Sequence, residues 1–124
     1  MNDKRPVNLD LTSLKYPPMA IVSILHRISG IALFLLMPVM LYLLNLSLRS
    51  EASFGELQVQ LLNPWWKFVL WVFCSALAYH LLAGIRHIIM DLGWGETLSA
   101  SRKTALGVVL LAVLSTVFLG VWIW

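Results

Sequence analysis

Three stretches of this chain, 28–46, 68–85 and 105–124, are dominated by apolar residues over about 18–20 positions each. As helices rising about 1.5 Å per residue they reach about 27–30 Å, the thickness of the hydrocarbon core of a bilayer. Inside lipid the backbone has no water to bond, so a crossing segment must satisfy its own N–H and C=O groups, and runs this long do so as helices. With 60% of the 124 residues hydrophobic and 12% charged, little chain remains for a separate soluble unit. The expected fold is an all-α integral membrane protein, a single membrane-anchor domain over 1–124. Its three transmembrane helices are expected at approximately 20–48, 64–90 and 104–124, in contact with membrane lipid.

Charge placement orients these helices. Lys4, Arg5, Lys15 and Arg27 precede or open the first run, and Arg86, Arg102 and Lys103 flank the connection between the second and third. Only Arg49 and Lys67 border the other connection. The positive-inside bias predicts a cytoplasmic N-terminus and an outside C-terminus. The net charge of +3 is then a consequence of topology, and no nucleic-acid partner is expected. Trp65, Trp66 and Trp71, with Trp122 and Trp124, mark one membrane interface as an aromatic belt, and Trp94 marks the other. No apolar core follows Met1–Pro6 as in a secretion signal, and Asp3 and Asp10 are foreign to a transit peptide, so no cleavage is expected.

The single cysteine, Cys74, excludes an intrachain disulfide, a cysteine-ligated iron–sulfur cluster and haem attachment through Cys-x-x-Cys-His; a buried thiol is expected. Residues 47–63 form a polar, acidic connector with Glu51, Gly55 and Glu56, and no chemistry attaches to it.

The chemistry concentrates on histidines. His80 lies within the second apolar run, where an ionisable side chain is costly unless paired, solvated or coordinated. Neutral imidazole is a good axial ligand for haem iron, and a hydrogen bond to a neighbouring helix is the alternative. His80, Gly84 and His87 share one helix face, with Gly84 leaving room for a flat macrocycle or another helix. His80 and His87 lie about 10.5 Å apart along the axis, too far to ligate one iron together. His87, beside Arg86 and Asp91 at the interface, has cations about it that suit a haem propionate or simple solvation.

A second cluster, Ser23, His26, Arg27 and Gly30, opens the first run. Ser23, Arg27 and Gly30 share a face, and a hydroxyl with a guanidinium suits a quinone carbonyl or a propionate; Arg27 snorkelling to water is the alternative. No carboxylate lies within the apolar cores, so a proton path made from this chain alone is not expected. One histidine at mid-depth supplies at most one axial ligand from there. A second comes from another chain or from a shallower residue such as His26, so the chain is expected to be half of a site.

Three motifs carry a family resemblance: Arg5-Pro6-Val7-Asn8-Leu9-Asp10-Leu11 with Tyr16-Pro17; Ser23-Ile24-Leu25-His26-Arg27-Ile28-Ser29-Gly30; and His80-x-x-x-Gly84-x-Arg86-His87 with Asp91. Together they resemble, over essentially the whole chain, the larger cytochrome b membrane-anchor subunit of bacterial succinate dehydrogenase, respiratory complex II. The resemblance implies that His80 is the haem b axial ligand, with the second ligand from a smaller membrane-anchor subunit. It implies that Ser23, Ile24 and Arg27 line the ubiquinone site and that His26, Arg27 and His87 lie near the haem propionates. It further implies an iron–sulfur subunit and a flavoprotein subunit as partners carrying the iron–sulfur clusters and FAD, and a place in the bacterial inner membrane. The chain would then have no turnover of its own.

Two other functions remain open on sequence: an anchor of a quinol:fumarate reductase, and a non-redox homo-oligomeric channel with His80 in its pore. The Ser-x-x-His-Arg run favours the ubiquinone-reducing branch, and the paired interfacial motifs are unexplained by a channel.

Overall fold

The computed structural model describes residues 16–124; the Arg5–Leu11 motif and the cations Lys4, Arg5 and Lys15 fall outside them. Four helices follow one another: α1 (Pro18–Arg49), α2 (Glu51–Gln60), α3 (Pro64–Asp91) and α4 (Leu98–Ile123). Among the described residues there is no strand. Helices α1, α3 and α4 are each long and apolar enough to cross a membrane.

Local sequence sets most helix ends. Pro18 and Pro64 stand in the first turns of α1 and α3, where a missing N–H costs nothing. Asn63 caps α3 by accepting from the Trp65 N–H at 2.9 Å, and Thr97 caps α4 by accepting from the Ala100 N–H at 3.3 Å. Between α3 and α4 the chain turns through Gly93 (φ +84°) and Gly95 (φ +75°), a left-handed backbone that a side chain would strain. Pro38 sits inside α1, which continues through it.

The 47–63 connector is more ordered than its composition suggests. It holds α2, begun by Ser50, whose hydroxyl accepts from the Ser53 N–H at 3.1 Å while the Ser53 hydroxyl accepts from the Ser50 N–H at 3.0 Å. Ser53 also donates to the Leu46 carbonyl at 2.9 Å, folding α2 back onto the end of α1. α4 likewise starts at Leu98, about two turns before its apolar run, because Thr97 supplies the cap.

Helix α3 is central, packed on both α1 and α4. The buried core is small: Val22, Ala83, Ala105 and Val108, with Met19, Tyr79 and Leu82 against it. Small residues let membrane helices approach closely, and Ala83 and Ala105 have no exposed surface at all. The Tyr79 hydroxyl donates to the Val22 carbonyl at 2.8 Å, tying α3 to α1 in the same layer. At the α2 end the Trp71 indole N–H donates to the Thr116 carbonyl at 3.0 Å, so this residue of the aromatic belt also fastens α3 to α4. Elsewhere the apolar side chains face outward, Phe34 at 78% and Val121 at 79% exposure, as a surface meant for lipid or other apolar chains requires.

Candidate functional site

The α1–α3 contact gathers all three histidines. On α1, positions 22, 26, 29 and 30 face inward, three to four residues apart; on α3, positions 79, 80, 83, 84 and 87 answer them. The rings of His26 and His80 stack with centroids 4.1 Å apart and 20° between planes, and His26 meets His87 at 5.2 Å and 53°. His26 is therefore the member that joins the two α3 histidines.

His80 is held by one turn of α1. Its Nδ1 lies 3.0 Å from the Ser29 hydroxyl oxygen and 3.2 Å from the His26 carbonyl oxygen. Ser29, itself buried, donates to that same carbonyl at 2.8 Å. A Cβ on Gly30 would stand 3.1 Å from His80 Cε1, so the ring lies almost on the α1 backbone. Gly84 mirrors it: a Cβ there would meet His26 Nε2 at 3.5 Å. Within this chain the room at Gly84 is thus taken by a side chain of the neighbouring helix. His26 Nε2 is buried without a hydrogen-bond partner, a polar atom left for a group the chain does not supply.

Arg86 behaves otherwise than its neighbourhood in sequence suggests. Expected beside His87 as a cation for a propionate or as a solvated group, it is buried and turned to α4. Its Nε donates to Thr104 Oγ1 at 3.1 Å, and Nη2 donates to the Ser101 carbonyl at 3.0 Å and the Ser101 hydroxyl at 2.9 Å. The reason is helical spacing: Arg86 is one position from His87, about 100° around the helix, and its fork finds three oxygens on α4.

Of the other candidate residues, Ser23 is half-buried, and Ile24 and Arg27 are exposed on the outer side of α1. They lie one to three positions from His26 on α1, and of the face expected to hold Ser23, Arg27 and Gly30, Gly30 is turned to His80 while Arg27 is exposed. Cys74 is half-buried and free. Among the described residues no three His, Cys, Asp or Glu side chains are arranged to hold a bare metal ion. Ser29 is the residue that sequence reasoning passed over as a site member. Its signal was present in the spacing, since it lies three positions from His26 on the face turned to α3.

Residues 1–119 match the family described as succinate dehydrogenase/fumarate reductase transmembrane subunit. The chain is 52% identical to the succinate dehydrogenase cytochrome b556 subunit of Coxiella burnetii, over 100% of both chains. It is 34% identical to the subunit of that name from Rickettsia typhi, covering 96% of this chain and 93% of the relative. With that of Paracoccus denitrificans the identity is 32%, over 91% and 90%. Three membrane-crossing helices, a histidine stack between two of them and these relationships lead to one assignment: the chain belongs to the family of succinate dehydrogenase and fumarate reductase transmembrane subunits.

Proposed function

We propose that the chain is the larger membrane-anchor subunit of a bacterial succinate:ubiquinone oxidoreductase, binding haem b through His80 and forming part of the ubiquinone-reduction site. The observation that carries this reading is the setting of His80. With Nδ1 facing two oxygens of α1, Nε2 is the nitrogen left to meet an iron. The donor set suits haem better than a bare ion, because a macrocycle brings four nitrogens of its own and asks the chain for a single imidazole. The cytochrome b556 name of the relatives agrees with that choice.

His80 would hold the iron, with His26, Arg27 and His87 on the side suited to the propionates, whose carboxylates need cations or hydrogen-bond donors. The unpartnered His26 Nε2 fits that need. Bound there, haem b supplies a one-electron carrier within the membrane. A second ligand would come from the smaller anchor subunit.

Ser23, Ile24 and Arg27 make this chain's share of the quinone pocket. The Ser23 hydroxyl donates to a quinone carbonyl, and the Arg27 guanidinium provides a fixed positive charge where negative charge develops on the oxygens during reduction. Ile24 is the apolar wall against the ring. Ile24 and Arg27 are exposed in the isolated chain, as befits a pocket completed by other subunits. Protons reach the quinone by way of those subunits, since the helices here carry no carboxylate within their apolar cores.

Electrons arrive from an iron–sulfur subunit fed by a flavoprotein subunit, which hold the clusters and FAD; this chain anchors them and has no turnover alone. The pocket then faces the cytoplasmic side of the inner membrane, where seven of the nine Lys and Arg residues lie. Succinate oxidation is the favoured direction because the named relatives are succinate dehydrogenase subunits. Assays of the purified complex with succinate and ubiquinone, against quinol and fumarate, test it. Faster fumarate reduction would reverse the direction.

A further inference from the structure

We propose that Ser29 is a positioning residue for His80: its hydroxyl oxygen accepts the Nδ1 proton, so that one turn of α1 fixes both the tautomer and the rotation of the imidazole on α3. The inference rests on His80 being the haem ligand and extends it to the residue that aims it.

The tautomer follows from counting hydrogens. The Ser29 hydroxyl has one, committed to the His26 carbonyl at 2.8 Å, so the lone pairs of its oxygen are what face Nδ1 at 3.0 Å. The His26 carbonyl, 3.2 Å from the same nitrogen, has lone pairs only. Both neighbours of Nδ1 are acceptors, and the proton therefore sits on Nδ1. Nε2 keeps its lone pair for the metal.

Rotation is restricted from two more sides. The ring face rests on His26 at 4.1 Å, and the Cε1 edge abuts the Gly30 backbone, where even a Cβ would come within 3.1 Å. Ser29 is 7% exposed, so water has little access to replace its hydroxyl.

A serine in a membrane helix commonly just bonds back to the preceding turn. Ser47 and Ser115 do that alone, donating to the Leu44 carbonyl at 2.7 Å and the Leu111 carbonyl at 2.8 Å. Ser29 makes the same back-bond and in addition meets an imidazole on another helix. The consequence is electronic as well as geometric. An imidazole donating from Nδ1 is a more basic ligand through Nε2, which favours the oxidised iron.

The test uses the assembled, purified complex with Ser29→Ala and Ser29→Thr. Three properties are read: the haem midpoint potential, the g values of its oxidised low-spin EPR signal, and the rate of haem loss to excess apomyoglobin. Ser29→Ala is expected to raise the potential, shift the g values and release haem about 10–100-fold faster, a loss typical for a ligand's hydrogen-bond partner. Ser29→Thr, which retains the hydroxyl, should return all three toward the native values. Native values in Ser29→Ala would overturn the proposal. So would equal disturbance in Ser29→Thr, since then volume and not the hydroxyl matters. If Ser29→Ala does not assemble, Ser29→Cys, close in shape and a weaker acceptor, carries the same comparison. His80→Leu separates the underlying assignment: haem lost there with a native Ser29→Ala overturns the positioning role alone, whereas a native spectrum in His80→Leu overturns both.

Discussion

The imidazole of His80 lies over Gly30 of α1 while the imidazole of His26, stacked on it at 4.1 Å, lies over Gly84 of α3. Each helix thus offers a notch to the histidine of the other. The notches differ in depth: an added Cβ would sit 3.1 Å from His80 Cε1 at Gly30 but 3.5 Å from His26 Nε2 at Gly84, the first too close for comfort and the second ordinary contact.

Alanine substitution at the two glycines should therefore have unequal effects. Gly30→Ala is expected to push the His80 ring off its seat and lower the haem content of the purified complex or broaden its α band. Gly84→Ala should keep a native spectrum and change helix stability by no more than about 1 kcal/mol, the propensity difference between the two residues. A disturbed Gly84→Ala beside a native Gly30→Ala would contradict the contact geometry.

Arg86 gives the next expectation. Its guanidinium joins α3 to α4 through Thr104 and Ser101 and does not face the histidines. Hydrogen bonds from a charged group are worth about 1.5–3 kcal/mol each, so Arg86→Leu should lower the thermal midpoint of the complex clearly. What assembles should retain the native haem spectrum. An altered spectrum at unchanged thermal stability would return Arg86 to the cofactor.

The different legibility of these features in the sequence has physical causes. Three helices were readable because an apolar run of bilayer length has few other folds open to it, and His80 stood out because an imidazole is rare in that background. The family motifs marked Ser23, His26, Arg27, His80 and His87. Nothing in composition revealed α2, whose start depends on the reciprocal Ser50–Ser53 cap and not on apolar periodicity. The direction taken by Arg86 was equally hidden, since adjacent positions on a helix point about 100° apart and their partners lie on a helix distant in sequence. Trp71 fitted the aromatic belt well enough that its bond to Thr116 had no separate signal. Ser29 looked like one more helical serine.

Ser23 and Arg27 are expected to serve quinone and not assembly. Ser23→Ala and Arg27→Leu should each reduce succinate–ubiquinone reductase activity about 10²–10³-fold, the usual cost of removing a group that stabilises developing negative charge. Electron transfer from succinate to a water-soluble dye, which leaves the complex upstream, should remain near normal. Equal loss of both activities would indicate failed assembly, and normal quinone reduction in both variants would leave these residues as interfacial side chains only.

Orientation is open to chemical labelling. In a Cys74→Ser background, a cysteine at the exposed Glu56 of α2 should react with an impermeant maleimide added outside intact cells, and one at the exposed Glu96 between α3 and α4 should not. The reverse pattern would invert the protein and put the quinone side at the outer face.

The most direct measurement is the reduced-minus-oxidised absorption spectrum of the purified complex, native and His80→Leu, with haem content determined alongside subunit content. If His80 is the iron ligand held by α1, the native complex has a haem b signal and His80→Leu, with its subunits still assembled, loses it or changes it markedly. An unchanged low-spin spectrum and full haem content in His80→Leu would contradict the assignment on which the account stands.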